Sequence, residues 1–342
     1  MISSDNLSFG YIYDFRNPQA WRRPSAQLYA ETLDFIAWSE TVGFTGAWIP
    51  EHHKAADCYI PSPAAVLGAI AARTTKLRIG TGVALAPLHH PVRFAEETAL
   101  LQILSNGRLE IQLAIGYRSQ EADMFGVDFR RRGRIFDEFL EIVTRLWAGE
   151  TVTFEGEHFN IREAKIAPPP ETPIPLYLGG FADKALERAA KYGRGYFGDP
   201  RATKLYREKL AAAGKDPGSA RIRIPSLFTA VARDPAAAMQ ELAPHFHHVN
   251  NSYGEWNHED KAADAPLISA MSLDEFIASG SLDIVTPGQA IDKFRALQAK
   301  TPLEHVMLAV PAGMPPSQFK KYAGIFAEEV IPAFANTDEE GA

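Results

Sequence analysis

Short apolar runs alternate along this chain with longer stretches in which apolar residues recur every three or four positions. The short runs cover residues 8–13, 45–49, 77–86, 108–116, 175–178, 195–197, 222–231 and 304–310. Between them, residues 25–41, 64–73, 92–104, 131–147, 182–192 and 203–213 show helical spacing. So do segments opening at Asp234-Pro235 and Thr286-Pro287, and a last one over 317–334, interrupted near Pro332. Ile135, Phe139, Ile142, Val143 and Leu146 illustrate the pattern, since all fall on one helix face. Gly43 and Ser105-Asn106-Gly107 stop two of the helices, and Pro63 and Pro91 stand where a first turn tolerates proline. The alternation predicts eight strands joined by helical crossovers, and hence parallel. Eight such units close into an α/β fold, a (β/α)8 TIM barrel, taken as one domain over residues 1–342 with its active site at the strand C-termini. A doubly wound open sheet is the rival. It calls for a glycine-rich phosphate fingerprint after strand one, and residues 11–16 hold none.

Two stretches stand outside the rhythm. Residues 151–161 alternate around Glu155-Gly156 and read as a small surface hairpin. Residues 249–283 read as an insertion after strand seven, because Asn250 to Gly254 is turn-like and the rest mixes charge with isolated aromatics. An insertion of that length serves as a lid or wall over a site. The glycines Gly80, Gly82 and Gly116 lie at or inside strands, where they leave no side chain to pack, so a ligand approaching the backbone is expected there.

Composition narrows the classes. A formal charge of -7 argues against a nucleic-acid or anionic-membrane surface. The single Cys58 excludes an internal disulfide framework and fits a reducing compartment. No apolar run of about 18 residues is present to span a bilayer. The first residues lack a basic region followed by an apolar one. A cytoplasmic protein is expected.

Several groups are placed to carry chemistry. Glu51-His52-His53 follows strand two at the expected catalytic mouth, where a histidine can move protons near neutral pH. His89-His90-Pro91 follows strand three. Gly116-Tyr117-Arg118 ends strand four, with a glycine that admits a flat ligand and an aromatic and a guanidinium beside it. Gly179-Gly180 leads into a helix N-terminus, a seat for an anion, with Lys184 one turn in. His245, His247 and His248 suggest a metal cluster, but 247 leaves the face that 245 and 248 share, and a site wall is the preferred reading. A metal-dependent barrel hydrolase would want an HxH at the end of strand one, which Tyr11-Ile12-Tyr13-Asp14 lacks.

Four ordered stretches resemble the bacterial luciferase-like family of flavin-dependent monooxygenases (the LLM class flavin-dependent oxidoreductases). They are Trp48 to His53, Ile79 to Val83 with Pro87 to Glu96, Gly107 to Gly116, and Leu178 to Gly180 with the following helix. The resemblance implies a barrel that takes reduced FMN from a separate flavin reductase and oxidises a small organic substrate with O2. It implies that His52 stabilises or protonates flavin–oxygen species. It also implies that Thr81, Gly82 and Val83 touch the flavin, with a non-proline cis peptide at about Gly82–Val83, that Gly116 and Tyr117 border it, and that Gly179, Gly180, Phe181 and Ala182 seat its phosphate. Many relatives carry a Ser or Thr in that seat, so here backbone N–H groups and Lys184 are expected to serve. Tyr253 and Trp256 are expected to line the substrate pocket, with no metal. Barrels of this family often pair through helices near strands two and three, so a homodimer is expected. Coenzyme F420-dependent oxidoreductases share the barrel and remain the alternative, as does a non-catalytic flavin-binding paralogue.

Overall fold

Eight parallel strands are hydrogen-bonded edge to edge into a closed barrel: β1 (Ser8–Ile12), β2 (Gly46–Ile49), β3 (Arg78–Thr81), β4 (Leu109–Ala114), β5 (Leu176–Gly179), β6 (Gly195–Phe197), β7 (Ile222–Ser226) and β8 (Leu303–Ala309). Their order is 3-2-1-8-7-6-5-4, and β3 pairs back onto β4, which leaves no barrel edge. The structure is a computed structural model and describes residues 7–259 and 268–335. Crossover helices cover the outside, among them Ser25–Thr41, Pro91–Leu104, Arg132–Trp147 and Asp183–Tyr192. The TIM-barrel reading of the alternating pattern holds.

The barrel interior is as much polar as apolar. Arg223 donates from Nη1 to Glu110 at 2.6 Å and from Nε to Glu304 at 2.6 Å, and all three are largely buried. Trp48, fully buried, donates from Nε1 to His305 Nε2 at 2.8 Å. Space for this indole comes from glycines on and just past neighbouring strands. A Cβ on Gly80 would fall 1.9 Å from the Glu110 carbonyl oxygen and 2.8 Å from the Trp48 ring, and one on Gly82 would fall 2.8 Å from Trp48 Cβ. Gly80 is therefore explained by packing inside the barrel, not by a ligand pressing on it.

Three stretches differ from the expected elements. The run 77–86 is interrupted at Gly82–Val83, whose peptide bond is cis, and resumes as Ala84–Leu85 alongside Leu113 and Ala114. The run 222–231 is two strands. β7 ends at Ser226, and Thr229–Val231 leaves the barrel to pair with Asp283–Val285. Ile222 to Ile224 and Thr229 to Val231 are all buried, so apolarity alone does not mark the break. Residues 249–259 are not a turn opening an insertion. They finish one long helix, Pro235–Glu259, whose start is capped by Asp234 Oδ1 accepting from the Ala236 and Ala237 N–H groups at 3.1 Å. Asn250 and Asn251 do not break it, because their side-chain amides are taken by the Ser269 and Met271 carbonyls at 3.0 and 2.9 Å. Gly254 lets the returning chain approach, since a Cβ there would sit 2.2 Å from Ala270 N. Of the expected insertion, residues 260–267 lie outside the described residues.

Candidate active site

The C-terminal ends of the strands converge on a cavity of about 190 Å³. Ile12 ends β1, Pro50 to His52 follow β2, Gly82 and Val83 follow β3, and Phe197 ends β6. Tyr59, Tyr117, Pro225, Leu227 and Ile268 complete much of the wall, and Tyr253 and Asn257 come from the long helix. A wider open groove of about 680 Å³ lies outside the barrel between Pro200–Ala211 and Leu297–Thr301. It holds none of the groups described below, so the chemistry belongs to the mouth.

His52 is held from behind. Its Nδ1 lies 2.9 Å from Glu121 Oε1, on the short helix Ser119–Met124. The same oxygen accepts from the His53 backbone N–H at 2.8 Å and from Arg118 Nη1 at 3.1 Å. Burial alone would push the Glu121 carboxyl up, but His52, the His53 amide and Arg118 together hold it below the usual range. An ionised Glu121 only accepts, so His52 donates to it from Nδ1. The ring sits among Tyr59, Trp256, Tyr117 and Tyr253, with centroids 4.9, 5.0, 5.8 and 6.0 Å away.

Glu51 acts as a brace. Oε1 faces His53 Nε2 at 3.1 Å, while Oε2 faces His89 Nε2 at 2.9 Å and accepts from the Leu85 N–H at 2.7 Å. Against the cost of burial, these partners hold its carboxyl at about 2. The brace ties the end of β2 to the backbone just past Val83, joining the histidine loop to the Gly82–Val83 wall.

A second charged group backs the aromatic wall. Arg16 is buried, 3.1 Å from Asp14, and bonded to Asp57. His248 from the long helix reaches the same Asp57 at 2.8 Å. Arg16 Cζ lies 4.5, 5.2 and 5.3 Å from the ring centroids of Tyr59, Trp256 and Tyr253. Trp256 is also covered by Arg118 at 4.1 Å.

Of the residues singled out from sequence, His52, Gly82, Val83, Tyr117 and Tyr253 meet at this cavity. Thr81 turns its hydroxyl to the Gln112 carbonyl at 2.7 Å, and Gly116, at φ +73°, starts the loop after β4. Trp256 packs behind His52 instead of facing the cavity. Gly179 ends β5 beside the cavity-lining Phe197, and Gly180 to Ala182 lead from it to the N-terminus of the helix Asp183–Tyr192, where Gly180 has φ +141° and Phe181 is exposed. Lys184 does not turn toward that loop; its Nζ is 2.7 Å from Glu187 on the helix surface. His245, His247 and His248 diverge to Ala312, Met271 and Asp57. Among the described residues no three His, Cys, Asp or Glu side chains converge as metal ligands. Sequence reasoning missed Glu121, Arg16, Asp57 and Tyr59. Only Arg118, beside the strand-four glycine, pointed near them.

The family profile described as "Luciferase-like monooxygenase" matches residues 7–302. The chain belongs to this family. Among curated luciferase-like relatives, it is 27% identical over 333 residues to the oxygenase component of the flavin-dependent trigonelline monooxygenase of Acinetobacter baylyi, covering 91% of each chain. It is 32% identical over 200 residues to an F420-dependent glucose-6-phosphate dehydrogenase of Microbacterium testaceum, covering 54% of this chain and 57% of that one. The match thus spans about half the length of several curated relatives. Among solved structures, the monooxygenase RslO1 of Streptomyces bottropensis superposes with a TM-score of 0.79 at 23% identity, over 96% of this chain and 100% of that one, which shows the shared fold. Flavin-dependent and F420-dependent enzymes thus both stand among its relatives, and no helix among the described residues is long and apolar enough to cross a membrane.

Proposed function

We propose that this chain is the oxygenase component of a two-component system, taking reduced FMN from a flavin reductase and placing one atom of O2 on a small organic substrate. The observation that carries the reading is His52, held at Nδ1 by Glu121 and lining an apolar cavity that Gly82 and Val83 border. End-to-end correspondence with a trigonelline monooxygenase component supports the same class.

The residues fit the cofactor. Gly82 and Val83, with Ile12, Phe197 and Leu227, would hold the flat ring, and Tyr117 would border it. The helix at Asp183 has no side-chain cap, and with the Ala185 N–H taken by the Ala182 carbonyl, the N–H groups of Asp183 and Lys184 would hold a phosphate. Bound reduced FMN supplies the electrons that activate O2. His52 holds or delivers a proton at Nε2. Tyr253 and Asn257 close the mouth from the long helix and keep water from the reacting centre. The exposed Leu100, Ile103 and Leu104 on the helix after β3 support a homodimer through that face.

A second reading, an F420-dependent oxidoreductase, is supported by the match to an F420-dependent dehydrogenase. Anaerobic titration with reduced FMN and reduced F420, followed by oxygen uptake, separates the two. Binding of FMN with uptake coupled to product supports the first; binding of F420 alone overturns it.

A further inference from the structure

Resting on the monooxygenase reading, we infer that Arg118 is a positioning residue that keeps His52 able to release its proton, by sharing the carboxylate oxygen that His52 faces. The geometry around Glu121 Oε1 carries the inference. Three donors meet that oxygen: His52 Nδ1 at 2.9 Å, the His53 N–H at 2.8 Å and Arg118 Nη1 at 3.1 Å. Arg118 also donates to the His53 carbonyl at 2.7 Å, so it grips the histidine loop at a second point. Arg118, Glu121 and His52 are all buried.

A buried carboxylate facing a histidine alone favours the imidazolium, which then holds its proton too firmly to hand it on. A guanidinium on the same oxygen opposes that pull, because it offsets the anion and repels a second positive charge beside it. Arginine suits the place, since its charge does not vary over the working pH range. The pair also arrives as a unit. Arg118 is the N-cap of the short helix Ser119–Met124, and Glu121 lies in its first turn, three positions on. The guanidinium is fixed against the Trp256 indole, with Cζ 4.1 Å from the ring centroid.

Among the described residues, the other groups around His52 are uncharged or committed elsewhere. Tyr59, Tyr117, Tyr253 and Trp256 face it with their rings. Burial pushes the three phenols up, so they stay neutral. Arg16, behind Tyr59, Trp256 and Tyr253, is paired with Asp14 and Asp57, and His248 shares Asp57. Glu51 is turned to His53, His89 and the Leu85 N–H.

The test is NMR titration of His52 in the flavin-free full chain, with its signal assigned by its loss in His52→Gln. Arg118→Met keeps a long side chain against Trp256 and removes the charge, and the midpoint of His52 protonation is expected to rise by about one unit or more. Arg118→Lys keeps the charge and is expected to stay closer to wild type. Glu121→Gln and the double variant Arg118→Met/Glu121→Gln give a second comparison in which no carboxylate is left buried without its partner. The guanidinium acts unopposed in Glu121→Gln, so its midpoint is expected to lie about one unit below that of the double variant. Equal midpoints within either pair, or a lysine variant displaced as far as the methionine one, would overturn the inference. Oxygen incorporation from reduced FMN is measured separately. Titrations as expected with no incorporation in the wild type would remove the monooxygenase reading alone.

Discussion

Glu121 Oε1 and His52 Nδ1 stand 2.9 Å apart across 69 positions of sequence. The carboxylate also holds the His53 amide and Arg118, so one buried anion sets both the position of the histidine loop and the nitrogen that faces the cavity.

Removing the ring tests the proton-handling role. His52→Ala should retain flavin binding, measured by fluorescence titration, while oxygen incorporation falls by about 10²–10⁴-fold. A rate equal to wild type would remove His52 from the mechanism.

Removing the charge behind it tests the positioning role. Glu121→Gln leaves Arg118 without its carboxylate in a buried setting, where breaking a pair costs about 3 kcal/mol or more. Urea unfolding should show a lower midpoint at unchanged slope, and kcat should fall without a matching change in KM. A variant with wild-type kcat would show that Glu121 merely packs.

Acid stability follows from Glu51. Its carboxyl drops from an ordinary 4.5 to about 2 on folding, because the hydrogen bonds from His53, His89 and Leu85 outweigh burial. A depressed acid contributes stability that is present above the unfolded value and lost as pH falls through the folded one. The contribution is about 3 kcal/mol at 1.36 kcal/mol per unit, lost between roughly pH 4.5 and 2. His89, raised by the same contact against the pull of burial, contributes below its unfolded value and loses that share as pH rises. Denaturant unfolding across pH should show the acid limb, and Glu51→Gln should flatten it.

Two glycine substitutions should move stability in opposite directions. Gly80→Ala drives a methyl into the Glu110 carbonyl and the Trp48 ring, and is expected to cost about 3 kcal/mol or prevent folding. Gly324→Ala, inside the helix Pro316–Glu329 with nothing within 4 Å of the added carbon, should stabilise by about 0.5–1 kcal/mol. Melting temperatures of the two variants decide.

The long helix closes the cavity with Tyr253, which meets Tyr59 at 3.3 Å. Tyr253→Ala opens that wall, and hydrogen peroxide released per reduced FMN consumed should rise. Unchanged coupling would assign water exclusion to other residues.

The alternation of apolar runs and helical stretches determined the barrel by itself, because each strand and crossover helix must bury a local stripe whose period is written in adjacent residues. His52, Gly82, Val83, Tyr117 and Tyr253 were legible for a related reason: four lie at or just past strand ends, and the barrel brings strand ends together. Tertiary structure alone decided the rest. Nothing local pairs His52 with Glu121, or Asp57 with both Arg16 and His248, since these contacts join separate loops. Nor does local pattern show that Gly80 makes room for Trp48, that Gly254 admits Ala270, or that the run 222–231 divides between two sheets. Each of these depends on which distant backbone lies within van der Waals or hydrogen-bond reach, and that distance exists only once the barrel has closed.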